Sequence, residues 1–175
     1  MGSFTPAQEG QPAVQPPDRP SGTEIERKFL LHGLPPQLAF ARRERIRQGY
    51  LALDGDTEVR VRMSTKGSRL TIKHGRGAVR VEEELALDDR QAQALWQLTE
   101  GRRLEKTRRA IRVQGVVVEV DEYNGSLDGL VVAEVEFPDE DAALDFTPPA
   151  WFARELTGDG AYSNRALASE GLPPA

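Results

Sequence analysis

Thr23-Glu24-Ile25-Glu26-Arg27-Lys28-Phe29-Leu30-Leu31 is the stretch from which the architecture follows. Glu24, Glu26 and Lys28 alternate with Ile25 and Phe29. Strand side chains change faces with a period of two, so this spacing predicts a β-strand with one charged face and one largely apolar face. The motif returns along the chain as like-charged doublets two residues apart: Glu24/Glu26, Arg60/Arg62, Glu82/Glu84, Lys106/Arg108, Glu119/Asp121 and Glu134/Glu136. Each doublet sets like charges on one face, where they repel unless a counter-charge lies between them. A sheet face turned to water also alternates, but it usually mixes signs. Repeated same-sign doublets point instead to charged faces that converge on a shared hollow.

Outward from that stretch, short alternating runs predict about eight strands: 23–31, 45–53, 58–64, 69–73, 79–87, 104–113, 116–123 and 130–137. Asp54-Gly55-Asp56 and Gln114-Gly115 carry the chemistry of tight hairpins, so neighbouring strands should be antiparallel. The opposite faces are apolar, as in Val59, Val61 and Met63, or Val131, Ala133, Val135 and Phe137, and need a cover of helices. The clearest helix starts at Asp88, with Gln91 placed for a capping box and Ala92, Leu95, Trp96 and Thr99 on one face before Gly101. A shorter one is expected over 36–42, with two or three more after Asp139, including one around Trp151, Phe152 and Leu156 and a last turn over 163–169. An ordinary small barrel fills its interior with aliphatic side chains; here the charged face would be inside and the helices outside.

Residues 1–22 are rich in Pro, Gln and Gly and poor in aliphatics, a composition expected of a disordered tail. One domain over 23–170 follows, with a flexible end at 171–175. A net charge of −5 argues against a broad basic nucleic-acid surface, so any polyanion must be met by local Lys and Arg clusters. The absence of cysteine removes disulfides, thiolate metal sites and cysteine nucleophiles. His32 and His74 are the only histidines and read as surface residues, which leaves a hard cation held by carboxylates as the metal of choice. No apolar run reaches the roughly 20 residues a spanning helix needs, and no secretory signal pattern opens the chain, so a cytoplasmic protein is expected. The carboxylates and cations together suit a metal-bound chain of linked phosphates.

Glu24-Ile25-Glu26-Arg27-Lys28 resembles the E-x-E-x-K signature of the CYTH domains, or triphosphate tunnel metalloenzymes. Gln48-Gly49-Tyr50-Leu51, Val59-Arg60-Val61-Arg62, Thr71-Ile72-Lys73, Arg80-Val81-Glu82-Glu83-Glu84, Lys106-Thr107-Arg108, Glu119-Val120-Asp121 and Ala133-Glu134-Val135-Glu136-Phe137 resemble family blocks in order. Tyr162-Ser163-Asn164 with Leu167-Ala168 is similar to the closing helix of bacterial members. The resemblance implies an α+β fold built on a closed, eight-stranded antiparallel β-barrel, a tunnel with a charged interior and a few helices outside. It implies Mg²⁺ or Mn²⁺ on Glu24, Glu26, Glu134 and Glu136, with Asp121 near a second ion. Lys28, Arg60, Arg62, Lys73, Arg80, Lys106 and Arg108 would grip phosphate, Glu119, Asp121 and Lys28 would serve catalysis, and Glu82, Glu84 and Tyr50 would be accessory.

Among the activities of that family, a cyclase needs a nucleoside pocket and a thiamine triphosphatase an aromatic platform, and neither is announced by the sequence. Hydrolysis of inorganic triphosphate to pyrophosphate and phosphate is the expected activity. The alternatives are thiamine triphosphate hydrolysis, class IV-type adenylate cyclization, or a non-catalytic polyphosphate-binding or nucleotide-binding role. The expected partner is a small triphosphate, with no nucleic acid and no membrane; a second copy could cover the apolar faces, so a homodimer fits.

Overall fold

A computed structural model describes residues 25–76 and 79–174, with the side chains of Arg76, Val79 and Arg80 outside that description. The expected tail over 1–22 and the candidate ligand Glu24 also lie outside the described residues. Nine strands form one antiparallel sheet: β1 (Ile25–Leu31), β2 (Glu44–Asp54), β3 (Thr57–Ser64), β4 (Gly67–Arg76), β5 (Val79–Leu87), β6 (Arg103–Val113), β7 (Val116–Asn124), β8 (Val131–Phe137) and β9 (Phe152–Glu155). Their spatial order is β5-β4-β3-β2-β6-β7-β8-β1-β9. Among the described residues three helices accompany them: α1 (Asp89–Gln97), α2 (Glu140–Asp145) and α3 (Asn164–Glu170).

The sheet is not closed, which corrects the expected eight-stranded barrel. Strands β5 and β9 are its two ends and do not pair with each other. The charged lining is therefore a face rather than a complete tunnel wall, and Glu82 and Glu84 on β5 stand at an exposed edge. The ninth strand is a second correction. Phe152–Glu155, expected to be helical, is extended and pairs with β1 through Phe29↔Glu155 and Leu31↔Phe152. The helix expected over 36–42 is a single 3₁₀ turn, Pro36–Leu38.

Local chemistry explains the elements that were legible. The β6–β7 hairpin turns at Gln114 and Gly115, both with positive φ, 51° and 85°, as a two-residue primed turn requires. The Asp88 side chain accepts from the Gln91 backbone N–H while Gln91 returns a bond to Asp88, so α1 begins with the capping box its sequence predicts. Helix α1 lies over β3, β4 and β5, burying Ala92 and Trp96. The Trp96 ring is sandwiched by the guanidinium groups of Arg47 and Arg103, 4.4 and 4.6 Å from its centroid.

The two faces of the sheet are sorted by chemistry. On one, Phe29, Leu31, Val118, Val120, Ala133, Val135 and Phe137 pack with Leu38, Phe146 and Phe152. Phe29 meets Phe152 edge-on at 4.8 Å, and Phe137 meets Phe146 at 5.3 Å. The other face carries the charges, but one end of it is apolar: Tyr50, Leu104, Tyr123 and Val132 pack with Leu127, Leu156, Leu167 and Ala168. Helix α3 thus covers part of the charged side, which corrects the expectation that all helices lie outside. Among the described residues no helix is long and apolar enough to cross a membrane.

Gly49 marks a contact of zero tolerance between β2 and the end of α1: a Cβ there would sit 2.3 Å from Thr99 Oγ1 and 2.6 Å from its Cβ. Thr99 is fully buried and its hydroxyl donates to the Trp96 carbonyl, so it cannot swing away freely. Gly49→Ala should therefore cost about 1–3 kcal/mol by overpacking, read as a lower midpoint in urea unfolding with an unchanged slope.

Candidate active site

Register decides which charges meet. Across β1 and β8, Glu26 lies opposite Glu136 and Lys28 opposite Glu134. Across β7 and β8, Glu119 faces Glu134, and across β6 and β7, Arg108 faces Asp121. Further along, Gln48 lies opposite Arg62, Tyr50 opposite Arg60, Glu58 opposite Lys73 and Lys73 opposite Glu82. A carboxylate bank on β1, β7 and β8 thus faces a cationic bank on β6, β3 and β4. In a flat sheet β3 and β7, with β2 and β6 between them, would be roughly 14 Å apart. The Arg62 guanidinium nevertheless feels the charges of both Arg108 and Asp121, so the two banks interact across the face.

Arg108 is the hub. Its Nε and Nη2 donate to the two oxygens of Asp121, each at 2.7 Å, Nη2 also reaches Glu134 at 2.8 Å, and Nη1 pairs with Glu119. Lys106 Nζ donates to Asp121 Oδ2 at 2.6 Å, with both side chains wholly buried. Lys28 Nζ is 3.0 Å from Glu134 Oε1. Burial alone would raise the Asp121 carboxyl, but Arg108 and Lys106 outweigh it and hold the group below the ordinary carboxylate range. Burial likewise opposes ionisation of Glu134, and Lys106, Arg108 and Lys28 reverse the outcome. The Lys106 ammonium is lowered, by burial first, against the pull of Asp121.

Arg62 is different. Burial and then the neighbouring Arg108 and Arg60 push its guanidinium down, and its Nε has no hydrogen-bond partner among the described residues. Arg60 Nε is likewise unpartnered, although Arg60 Nη1 lies 3.4 Å from Glu58. Two guanidinium groups with enclosed, unused donors on one strand face form a receptor for anionic oxygens. Lys73 and Arg69 flank them, paired at 2.8 Å with Glu82 and 2.7 Å with Glu84, which also accepts from Thr71. Tyr50 is buried and accepts from Gln48 Nε2 at 2.7 Å, and burial raises its phenol.

The sequence-predicted residues Lys28, Arg62, Lys106, Arg108, Glu119, Asp121 and Glu134 are thus brought together, with Arg60, Lys73 and Tyr50 beside them. Glu26 and Glu136 stand side by side, while Glu82 and Glu84 do not reach the carboxylate bank. The side chain of Arg80 lies outside the described parts. His32 and His74 are exposed, as expected. Glu44, Gln48, Glu58 and Arg69 share the charged face and were legible by parity alone. Asn164, quoted above only as part of a closing helix, was not legible as a neighbour of this face, because it comes from another element. A separate groove of about 490 Å³, lined by residues including Ile25, Arg27, Leu144 and Glu155, opens away from the charged face.

Among the described residues no group of three or more carboxylates encircles an ion-sized space. That fits Mg²⁺-type chemistry, in which one or two carboxylates share the ion with substrate phosphates and water. Glu26 and Glu136 lie opposite each other on the paired strands β1 and β8.

An antiparallel sheet that presents facing carboxylate and guanidinium banks defines a site for a polyanion with a hard cation. The chain belongs to the CYTH-domain family, whose model matches residues 22–159. It is 44% identical over 148 residues to an inorganic triphosphatase of Nitrosomonas europaea, covering 83% of this chain and 97% of that one. It is 39% identical over 148 residues to an inorganic triphosphatase of Acetivibrio thermocellus, covering 83% and 93%. A crystal structure of an inorganic triphosphatase superposes with a TM-score of 0.71 at 40% identity, over 86% of this chain and 97% of that chain.

Replacing Asp121 strands two buried cations. Asp121→Asn should cost about 3–5 kcal/mol of stability at pH 7. Because the native carboxyl is depressed, its stabilisation is present above the ordinary Asp pKa of about 3.9 and is lost as pH falls towards the native value. Urea unfolding of both proteins from pH 7 to pH 3 should therefore show the gap narrowing below about pH 4.

Proposed function

We propose that this protein hydrolyses inorganic triphosphate to pyrophosphate and phosphate with the help of a divalent cation. The observation that carries the reading is Arg62, an enclosed guanidinium with an unused donor and destabilised charge, beside Arg60, whose Nε is also without a partner among the described residues. An anion of several linked phosphates relieves both at once. The relatives named inorganic triphosphatase, which match over most of their length, support the same substrate.

Without substrate the two banks neutralise each other: Arg108 is held by three carboxylates and Lys28 by Glu134. A triphosphate competes for Lys28, Arg60, Arg62, Arg108 and Lys73. With Arg108 and Lys28 turned to phosphate oxygens, Glu134 and Glu119 would be free to join Glu26 and Glu136 in holding Mg²⁺ or Mn²⁺, with Glu24 as a further candidate. The bound cation would neutralise charge on the oxygens of the phosphate chain. Glu119 is placed to orient the attacking water, and Lys28 to offset charge on the departing group. Asp121, wholly enclosed by Lys106 and Arg108, acts as their anchor. Water attacks the terminal phosphorus and gives up a proton to the Glu119 carboxylate that orients it, while the bridging P–O bond breaks and its electron pair leaves with pyrophosphate. Positioning and charge neutralisation suffice for such a transfer, and no nucleophilic side chain is needed. The expected setting is the cytoplasm.

Phosphate release from inorganic triphosphate, ATP, thiamine triphosphate and long-chain polyphosphate, with Mg²⁺ or Mn²⁺ and with a chelator, tests the proposal. Inorganic triphosphate should be turned over fastest, and the chelator should abolish release. Glu26→Gln should lower kcat by roughly 10²-fold or more, since a bound cation supplies several kcal/mol of charge stabilisation. Arg62→Ala should mainly raise KM, by roughly 10- to 100-fold, the equivalent of one charged hydrogen bond. Faster turnover of another substrate would reassign the activity.

A further inference from the structure

We propose that Asn164, at the start of α3 and beyond the stretch matched by the family model, is a positioning residue of the triphosphate site. It acts through Lys106 and Asp121 on Arg108, and the inference rests on the function proposed above.

Asn164 Oδ1 accepts from two groups of the sheet, the Tyr123 hydroxyl at 2.7 Å and Lys106 Nζ at 3.3 Å. Lys106 is enclosed, with its ammonium 5.3 Å from the Tyr123 ring centroid, and Asn164 and Asp121 are the hydrogen-bond acceptors of that ammonium among the described residues. An ammonium has three donors and no acceptor, and one left unused in a buried place is costly. Asn164 satisfies one donor without adding a charge. It thereby fixes Lys106 beneath Asp121, where the ammonium supplies part of the positive charge that this carboxylate requires.

The consequence reaches substrate through Arg108. Asp121 is shared between Lys106 and Arg108, so whatever weakens the first pairing strengthens the second. Arg108 must turn from carboxylates to phosphate for substrate to bind, and a Lys106 drawn away from Asp121 leaves it more firmly held. Helix α3 is secured for this task by Leu167 and Ala168 in the apolar end of the charged face, and by the Ser163 side chain, which accepts from the Ala166 N–H. The Tyr123 hydroxyl, by donating to Oδ1, sets the amide orientation that offers its acceptor to Lys106.

The test is steady-state hydrolysis of inorganic triphosphate by the full chain with saturating Mg²⁺, for wild type, Asn164→Ala, Tyr123→Phe and the double variant. Asn164→Ala should raise KM roughly tenfold, the loss expected for one hydrogen bond to a charged group, with kcat within about twofold. Tyr123→Phe should raise KM in the same direction, and the double variant should match Asn164→Ala instead of multiplying the two effects. A purely structural residue would lower the active fraction, and so kcat, while leaving KM unchanged; that result overturns the proposal, as do independent effects in the double variant. Should Asn164→Ala fail to fold, an unchanged KM in Tyr123→Phe is enough to reject it. No hydrolysis by wild type would instead refute the underlying function.

Discussion

Asp121 has no exposure to water and is enclosed between Lys106 and Arg108, and the organisation of the charged face depends on that arrangement. Removing an ion from water costs several kcal/mol even after relaxation, so an incomplete network of this kind would not persist in a folded core. Completeness is achieved by register. The β6–β7 hairpin places Arg108 opposite Asp121, and β7–β8 pairing places Glu119 opposite Glu134. A slip of one residue would send Asp121 to the side where Val118 and Val120 pack, so the charges and the apolar core specify the same pairing.

That double specification separates the carboxylate bank from the cationic bank. Arg108 is the bridge between them and is held by three carboxylates at once. Its guanidinium is raised despite burial because Asp121, Glu134 and Glu119 together outweigh the loss of water. Two strands away on β3, burial with the charges of Arg108 and Arg60 outweighs the pull of Asp121 and Glu44, and Arg62 is lowered instead. The same side chain type, on one continuous face, is quenched in one place and left unsatisfied in another. On the function proposed above, this difference would draw an incoming anion first to the unsatisfied end.

Much of this was legible in the chain itself. Period-two alternation located eight strands to within a few residues, and the like-charged doublets marked the shared face, because both depend on local geometry. Closure of the sheet did not follow from them. Whether β5 meets β9 depends on accumulated curl and on irregularities such as the register shifts between Tyr50 and Ala52 and between Phe29 and Leu31, which leave no trace in an alternation pattern. Phe152–Glu155 misled for a related reason: four residues after two prolines carry too little pattern to tell strand from helix, and pairing with β1 decided the matter. Asn164 stood in the block that resembles a closing helix, but its link to Lys106 and Tyr123, more than forty residues away, leaves no mark in a local pattern.

A face whose charges neutralise one another suits a substrate that brings both signs. A bare polyanion would have to break the pairings of Arg108 and Lys28 and leave Glu134 and Glu119 unpaired in a poorly solvated place. A bare cation would meet carboxylates already occupied by guanidinium and ammonium. A triphosphate arriving with a divalent ion satisfies both sets in one exchange, so that no buried charge is stranded at the end. On the function proposed above, the neutralised free state would favour the metal-bound form of the substrate over either component. Selectivity of this kind is written in the balance between the two banks, which explains why carboxylates occur in such numbers on a face whose ligand is itself an anion.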